Sequence, residues 1–172
     1  MDTSLNPSLE EGGSVATAME YLEEIDHFGG PGTVGAAAAI TTALQSLPGI
    51  RLTGYCGLML PVCEDQRLAD LAMQSGKCDN GSGGGGGGGD VGLRIADLLC
   101  VSSVCGVGVD TVPLAGDVST ERLTALILDM AGLAARWDKN LSCRVLPFAG
   151  KQVGDRTDFD SPYMVNTNVF HL

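Results

Sequence analysis

The spacing of apolar residues along the chain predicts five helices. The most regular apolar stripe follows a cap at Ser119 and comprises Leu123, Leu126, Ile127, Met130, Leu133, Ala134 and Trp137. A second helix is expected after a cap at Ser14, where apolar residues recur at helical spacing up to a Gly-Gly pair. The other three are expected over residues 34–47, after Asp65 and after a cap at Asp90.

Two apolar stretches rich in β-branched residues predict strands on either side of the Ser119 helix. The first, residues 101–117, is expected to be a buried strand because its valines alternate with or flank small residues. The second covers residues 141–148, and the connections are short enough for a right-handed parallel crossover. The pattern therefore predicts an α/β fold with a parallel strand-helix-strand unit over residues 104–148. A further short strand is expected within residues 52–60.

Seven consecutive glycines, Gly83 to Gly89, interrupt the periodic pattern. Glycine has no side chain to bury and loses the most backbone entropy on folding. We therefore expect a flexible surface loop over residues 77–90, without a packed structure of its own.

Composition and charge narrow the class of protein. The chain has 172 residues, of which 44% are hydrophobic, which is enough for one domain with its own core. Its formal net charge is −11 and it has no block of Lys or Arg, so most of its surface would repel a nucleic acid or an anionic membrane. The chain opens with the polar sequence Met1-Asp-Thr-Ser and contains no long apolar run. These features predict a soluble, cytoplasmic protein that binds neither nucleic acid nor membrane.

The six cysteines have irregular spacing and no Cys-x-x-Cys pair. Only His27 and His171 could complete a zinc site, so no zinc site is expected. A chain with its own core does not need a disulfide framework, and we expect free thiols in a reducing compartment.

A thiol and two carboxylates lie within or beside the predicted strand at residues 101–117. Cys105 is a candidate nucleophile or radical-relay thiol, and Arg144 is the nearest candidate for the cation that a reactive thiol requires. Asp110 and Asp117 are candidate acid/base groups, or ligands of a divalent cation such as Mg²⁺ or Ca²⁺. Asp155, Asp158 and Asp160 from the tail would join them in this role. The alternative is that Cys105 is a core residue and that the aspartates serve a turn and the start of a helix.

Two loops are candidate sites for a small ligand. Gly32 and Thr33 begin a helix of small residues, whose free N–H groups could hold a phosphate or a carboxylate. The alternative is that the small residues allow a buried helix to pack closely. The tail after the second predicted strand, where α/β proteins place ligand groups, carries Asp155, Asp158 and Asp160. Together with Arg144, Gly32, Thr33 and Asp155 are the predicted ligand-binding residues.

Several ungapped blocks resemble the domain-of-unknown-function 711 family, also called uncharacterised protein family 0210. The C-terminal blocks are residues 102–117, 144–148 and 154–163. The blocks at residues 2–7, 32–38 and 57–65 are similar to the preceding family blocks, in the same order. The resemblance implies a partial α/β barrel of the pyruvate formate-lyase-like group. It also implies that residues 1–172 are a single domain corresponding to the C-terminal portion of a longer family domain, whose biochemical role is not established.

A shorter resemblance concerns the segment Arg51-Leu-Thr-Gly-Tyr55, which is similar to the Arg-Val-Ser-Gly-Tyr motif that bears the radical in glycyl radical enzymes. Those enzymes carry the motif close to their C-terminus, and the family block here is centred on the residues that follow it. No radical role is assigned to this segment.

Two classes of function follow. The first is the binding of a small anionic metabolite, with an enzyme of undefined reaction as its extension. The second is a non-catalytic structural or regulatory fragment that pairs with another chain, either a second copy or a complementary chain, to complete the barrel. The charge-poor outer side of the Ser119 helix motivates the second class.

Overall fold

The computed structural model describes residues 1–74 and 92–172. Five helices and two strands follow in the order α1 Val15–Glu20, α2 Thr33–Gln45, α3 Gln66–Gln74, α4 Ile95–Val104, β1 Gly108–Ala115, α5 Thr120–Trp137 and β2 Ser142–Phe148. A short 3-10 turn, Glu11–Gly13, precedes α1. The loop expected at residues 77–90 lies outside the described residues.

The two strands pair in parallel, with α5 as the connection between them. Their register runs from Gly108 opposite Ser142 to Ala115 opposite Phe148. The structure is therefore mixed α/β, and the predicted parallel strand-helix-strand unit is confirmed. Within the two described ranges, no barrel is formed, because this sheet has two strands.

The expected strand at residues 101–117 is wrong over its first part. Residues 101–104 are the last turn of α4, and the Cys105 N–H closes the helix with a bond of 2.9 Å to the Val101 carbonyl. A short apolar run fits a buried helix as well as a buried strand, and the flanking context decides between them. Cys105 consequently lies at the end of a helix, and the strand begins three residues later.

Three other expectations also differ from the structure. Helix α1 ends at Glu20, where turns replace the last part of the predicted helix. Residues 52–60 form no strand in the described chain and contribute instead an isolated bridge between Leu58 and Leu5. Helix α4 begins after Arg94, whose backbone N–H donates to Asp97, whereas the expected cap Asp90 lies outside the described residues.

The core surrounds β1, which is buried at all eight positions. Side chains of the helices and of the segment before α3 pack against it, and the largest fully buried ones include Leu58, Leu68, Leu71, Leu98 and Leu114. Only part of the apolar stripe predicted for helix α5 is buried in the structure. Leu126 and Met130 are buried, whereas Ile127 and Trp137 from the predicted stripe are 58% and 55% exposed.

One buried carboxylate joins two helix starts. Asp65 is fully buried, and its Oδ1 accepts hydrogen bonds from the Ser14 hydroxyl (2.6 Å) and the Leu68 N–H (3.0 Å). Its Oδ2 accepts a bond from the Val15 N–H (2.9 Å). Asp65 therefore caps α3 directly and α1 together with Ser14, the cap that the sequence predicted.

In the part of the chain that the structure describes, no helix combines the length and the apolar character needed to cross a bilayer.

Candidate functional site

Three charged side chains meet on one face of the sheet. The guanidinium of Arg144 on β2 bonds both carboxylate oxygens of Asp110 on β1, through Nε to Oδ1 and through Nη2 to Oδ2 (3.0 Å). Its Nη2 also donates to Glu64 Oε1 at 2.8 Å. The Asp110 side chain is only 7% exposed and that of Arg144 is 51% exposed. The predicted site residues Asp110 and Arg144 are thus brought together, with Glu64 as a partner that sequence reasoning missed.

A β-bulge aims Asp110 at this cluster. Val109 pairs with Cys143 and Val112 with Val145, so that Asp110 and Thr111 both fall opposite Arg144. Thr111 has a φ of 42°, which is rare for a β-branched residue and carries backbone strain. Its hydroxyl accepts a hydrogen bond from the Cys63 N–H at 3.2 Å, which helps to hold the strained turn.

The surroundings of Arg144 and Cys63 determine the protonation state of each side chain. The hydrogen bond with Asp110 is the main cause that raises the pKa of Arg144, so the guanidinium keeps its charge. Burial, followed by the nearby Glu64 charge, raises the pKa of the Cys63 thiol to about 12. Cys63 is therefore a neutral thiol at physiological pH and is not a nucleophile.

Cys105 lies elsewhere, between the end of α4 and the segment that precedes α3. Its side chain is buried, and its sulfur accepts a hydrogen bond from the Leu58 N–H (3.0 Å) and donates one to the Leu58 carbonyl (3.2 Å). A Cβ on Gly57 would lie 2.8 Å from the sulfur, so only glycine fits at that position. The thiol thus pairs with both the N–H and the C=O of one residue, as the backbone of a neighbouring strand would.

The cation beside Cys105 is Lys139, and not Arg144 as the sequence predicted. Lys139 Nζ donates to the carbonyls of Ser102 (2.5 Å) and Cys105 (2.8 Å), which lie at the end of α4. Burial lowers the pKa of the Lys139 amino group, while the neighbouring Cys105 opposes this effect. Among the ion pairs of the described residues, none includes Lys139.

A cavity of about 350 Å³ opens beside Lys139. The ends of α2, α4 and α5 form its walls together with the segment around Tyr55. Its lining includes Gln45, Tyr55, Cys105, Trp137, Asp138, Lys139 and Asn140. The walls are thus mainly polar, with one ammonium, one carboxylate and two side-chain amides. Trp137, the only tryptophan of the chain, lies at this cavity.

The predicted metal ligands are not assembled around a common centre. Asp110 is held by Arg144, whereas Asp117 is exposed beyond the end of β1. Asp117 Oδ2 accepts a bond from the Gln152 side chain (3.4 Å), and Asp155 Oδ2 accepts one from the Gln152 backbone N–H (2.8 Å). Across residues 1–74 and 92–172, no group of three or more His, Cys, Asp or Glu could hold a metal ion.

Gly32 and Thr33 occupy the start of α2, as expected, but their polar groups serve the loop. The Thr33 hydroxyl accepts a bond from the Gly29 N–H (3.1 Å), and the Thr33 N–H donates to the Gly30 carbonyl (3.3 Å). Gly32 has a φ of 93°, and a Cβ there would lie 2.8 Å from the Glu24 carbonyl oxygen. The glycine is therefore explained by backbone geometry at this turn.

Comparison with known proteins shows the family. The family model described as "Uncharacterised ACR (DUF711)" matches residues 1–161. The chain belongs to the DUF711 family. A UPF0210 protein of Lactobacillus helveticus is 33% identical over 179 residues, covering 98% of this chain and 36% of the relative. A UPF0210 protein of Bifidobacterium longum is 31% identical over 163 residues, covering 92% of this chain and 32% of the relative. The chain thus spans about a third of the length of these relatives, and no solved structure matches it.

The DUF711 blocks contain the whole charge cluster but little of the cavity beside Lys139. Glu64, Asp110 and Arg144 each lie in a block. Of the residues that line the cavity, only Val104, Cys105 and Gly106 do. Lys139 lies outside every block and was not anticipated. The sequence gives no signal for it, because Lys139 follows α5 whereas the carbonyls that it bonds belong to the end of α4.

The alkaline stability of this DUF711 chain is expected to depend on Cys63. Between about pH 9 and pH 12 the unfolded chain loses the thiol proton while the folded chain retains it. The stabilising contribution is therefore complete below pH 9, and the free energy of unfolding should then fall by about 1.4 kcal/mol per pH unit. Urea unfolding of Cys63→Ala, followed by circular dichroism from about pH 8 to about pH 10.5, should show a shallower fall.

Cys100→Ala is the matched control for this prediction, because Cys100 is an exposed free thiol. This variant should keep the steep alkaline fall of the unmodified chain. If the unfolding free energy of Cys63→Ala falls with pH as steeply as that of the unmodified chain, the Cys63 thiol has the same pKa in the folded and unfolded states.

Proposed function

We propose that the chain binds a small anionic metabolite in the cavity beside Cys105, with Lys139 as the cationic anchor. The observation that carries this proposal is an ammonium group that lines a polar cavity of about 350 Å³ and has no carboxylate partner among the described residues. An ammonium has three donors, and the carbonyls of Ser102 and Cys105 use two of them. The third is available to a ligand.

The electrostatics of Lys139 favour an anion as the ligand. Burial lowers the pKa of the amino group, which means that the cavity disfavours its charged form. A bound carboxylate or phosphate would stabilise that charge, so its binding would be coupled to proton uptake. The affinity for the anion should therefore fall as the pH rises and Lys139 loses its proton.

The amides at the cavity add selectivity for an oxygen-rich ligand. Gln45 and Asn140 can donate hydrogen bonds to a second carboxylate oxygen or to a hydroxyl group, and Tyr55 can act as donor or acceptor. Asp138, which also lines the cavity, would repel a highly charged anion. A small monocarboxylate or hydroxycarboxylate consequently fits this lining better than a polyphosphate.

The proposal is one of binding and includes no covalent step. The Cys105 sulfur makes its hydrogen bonds with the Leu58 backbone, and the residue is 2% exposed. Attack on a ligand would require these hydrogen bonds to break. We infer that Cys105 shapes the wall of the cavity and supplies, through its carbonyl, one of the two acceptors that orient Lys139.

Trp137 fluorescence provides the direct test. Titration of the chain with acetate, lactate and inorganic phosphate should change the Trp137 emission in a saturable way for at least one anion. Lys139→Met should weaken this binding by about 10- to 100-fold, because a hydrogen bond to a charged group contributes about 1.5–3 kcal/mol. Circular dichroism would confirm that the variant keeps its helix content.

Lys151→Met is the matched control, since it removes the same charge from the other described lysine, which pairs with Asp158 at 3.3 Å. This variant should bind as the unmodified chain does. If Lys151→Met and Lys139→Met lose the same affinity, the anions respond to net charge and the proposed cavity is not their site.

A further inference from the structure

We propose that the outer edge of β2 and the adjoining flank of α5 bind a further parallel strand and helix. We infer that a polypeptide equivalent to the part of the longer relatives that this chain does not match supplies them. We call this region the β2–α5 surface and define it by β2 together with Thr124, Ile127 and Ala131. The inference concerns a protein partner and is independent of ligand binding beside Lys139.

The first observation is the state of the strand edge. All pairs of β2 are with β1, and no isolated bridge of the described residues involves β2. An edge strand presents a row of backbone N–H and C=O groups that can pair with another strand. Strand β1 is buried throughout, whereas no residue of β2 is fully buried. Parallel strands are normally covered on both faces, so β2 is the incompletely covered edge of this sheet.

The second observation is the flank of α5 that faces away from α4, since Leu128 and Gly132 on the other flank share a cavity with α4. Thr124, Ile127 and Ala131 lie on one face of the helix because they are three and four residues apart, and all three are exposed. Ile127 is 58% exposed, and its neighbour Leu128 is 64% exposed. The small side chains around Ile127 would let a second helix approach closely. A water-facing helix would normally carry charged residues at these positions.

The third observation identifies the occupant. The match to the Lactobacillus helveticus relative covers 98% of this chain but only 36% of the relative, so most of the relative's chain has no counterpart here. In α/β folds, parallel strands lie side by side and so do their connecting helices, so a strand-helix unit from that part could extend the sheet at β2 and the helix layer at α5. The β2–α5 surface has the geometry to receive such a unit. A second copy of this chain would instead bring two β2 edges together about a two-fold axis, in antiparallel orientation.

The test is to co-express the chain with the unmatched part of the Lactobacillus helveticus relative and to purify the product by size-exclusion chromatography with light scattering. We expect a one-to-one complex. Hydrogen exchange measured by mass spectrometry should show that amides of residues 142–148 exchange at least about 100-fold more slowly in the complex than in the chain alone.

Single substitutions make the test specific. Ile127→Glu should weaken the complex by at least about tenfold, because it places a charge in an apolar contact. Ala131→Arg provides a second variant at the same surface. Tyr21→Glu is the control, since Tyr21 is 82% exposed and lies in the turn after α1. Each variant would first be checked for native helix content by circular dichroism.

Three outcomes would overturn the proposal. One is a defined homodimer of this chain with protected β2 amides, which would assign the surface to a second copy. Another is a complex that leaves exchange at residues 142–148 unchanged. The last is the absence of any complex with the unmatched part of the relative. Saturable binding of an anion to the isolated chain would be unaffected by any of these results.

Discussion

Replacing Asp65 by alanine is expected to lower the free energy of unfolding by about 3–5 kcal/mol. The buried carboxylate accepts hydrogen bonds from the Ser14 hydroxyl, the Val15 N–H and the Leu68 N–H. Alanine would leave these donors buried without an acceptor, and leaving one such group unsatisfied costs about 1–3 kcal/mol. The starts of α1 and α3 would be weakened together, because the same side chain caps both.

Urea unfolding followed by circular dichroism measures this loss through the shift of the midpoint at constant slope. Asp65→Asn should be less damaging than Asp65→Ala, because the amide oxygen can still accept one or two of the bonds. Asp158→Ala is the matched control. Asp158 is 71% exposed in its ion pair with Lys151, so removal of this pair should cost about 1 kcal/mol or less. A loss below about 1 kcal/mol for Asp65→Ala would mean that water replaces the carboxylate.

The second large effect is expected for Arg144→Met. This change leaves the Asp110 carboxylate, which is 7% exposed, without its counterion. Removal of one partner from a buried ion pair typically costs about 3–5 kcal/mol, and the 51% exposure of Arg144 favours the lower end of that range. Glu64 would lose its partner at the same time, but its exposure of 33% allows water to solvate it. The unfolding midpoint in urea should therefore fall sharply.

A double-mutant cycle separates the unpaired charge from the loss of packing. Arg144→Met combined with Asp110→Leu should recover at least about 2 kcal/mol relative to Arg144→Met alone, because replacing both partners of a buried pair by apolar groups is often neutral. Arg51→Met, at an exposed position, should stay within about 0.5 kcal/mol of the unmodified chain. If the changes in unfolding free energy for Arg144→Met and Asp110→Leu simply add in the double variant, the two side chains do not interact.

The two sites differ in what they offer to chemistry. The cluster of Asp110, Arg144 and Glu64 is internally paired and stabilises a strained bulge in β1. The cavity beside Lys139 holds a cation that has hydrogen bonds but no counterion among the described residues. A ligand can replace a missing counterion more readily than it can displace an existing one. This difference is the reason that the proposed ligand is placed beside Lys139.

Metal binding by Asp110 and Asp117 stays a prediction, and so does the partial barrel. The structure shows neither, because Asp110 is paired with Arg144 and the described sheet has two strands. Both predictions depend on groups that would have to come from another polypeptide or from a rearranged cluster. The co-expression experiment bears on the barrel, since further parallel strands beside β2 are a condition for closing one.

The sequence by itself determined the features that depend on near neighbours. The cap at Ser119, the 18-residue helix α5 and the start of α2 after Gly32 all follow from residues a few positions apart. The parallel pairing of β1 and β2 followed from the length of the connection between them. The family followed in the same way, from short blocks that keep their order along the chain.

Only the tertiary structure decided which distant groups meet. The bulge at Thr111 turns Asp110 towards Arg144, which lies 34 positions further along the chain. The segment before α3 brings Glu64, 80 positions before Arg144, to the same guanidinium. The end of α5 brings Lys139 to Cys105, although Arg144 was the expected cation. Apolar periodicity reports which face of an element is buried, but it contains no information on register or on the crossing of helix ends. Those are set by packing over the whole core, and the chemistry of this protein depends on them.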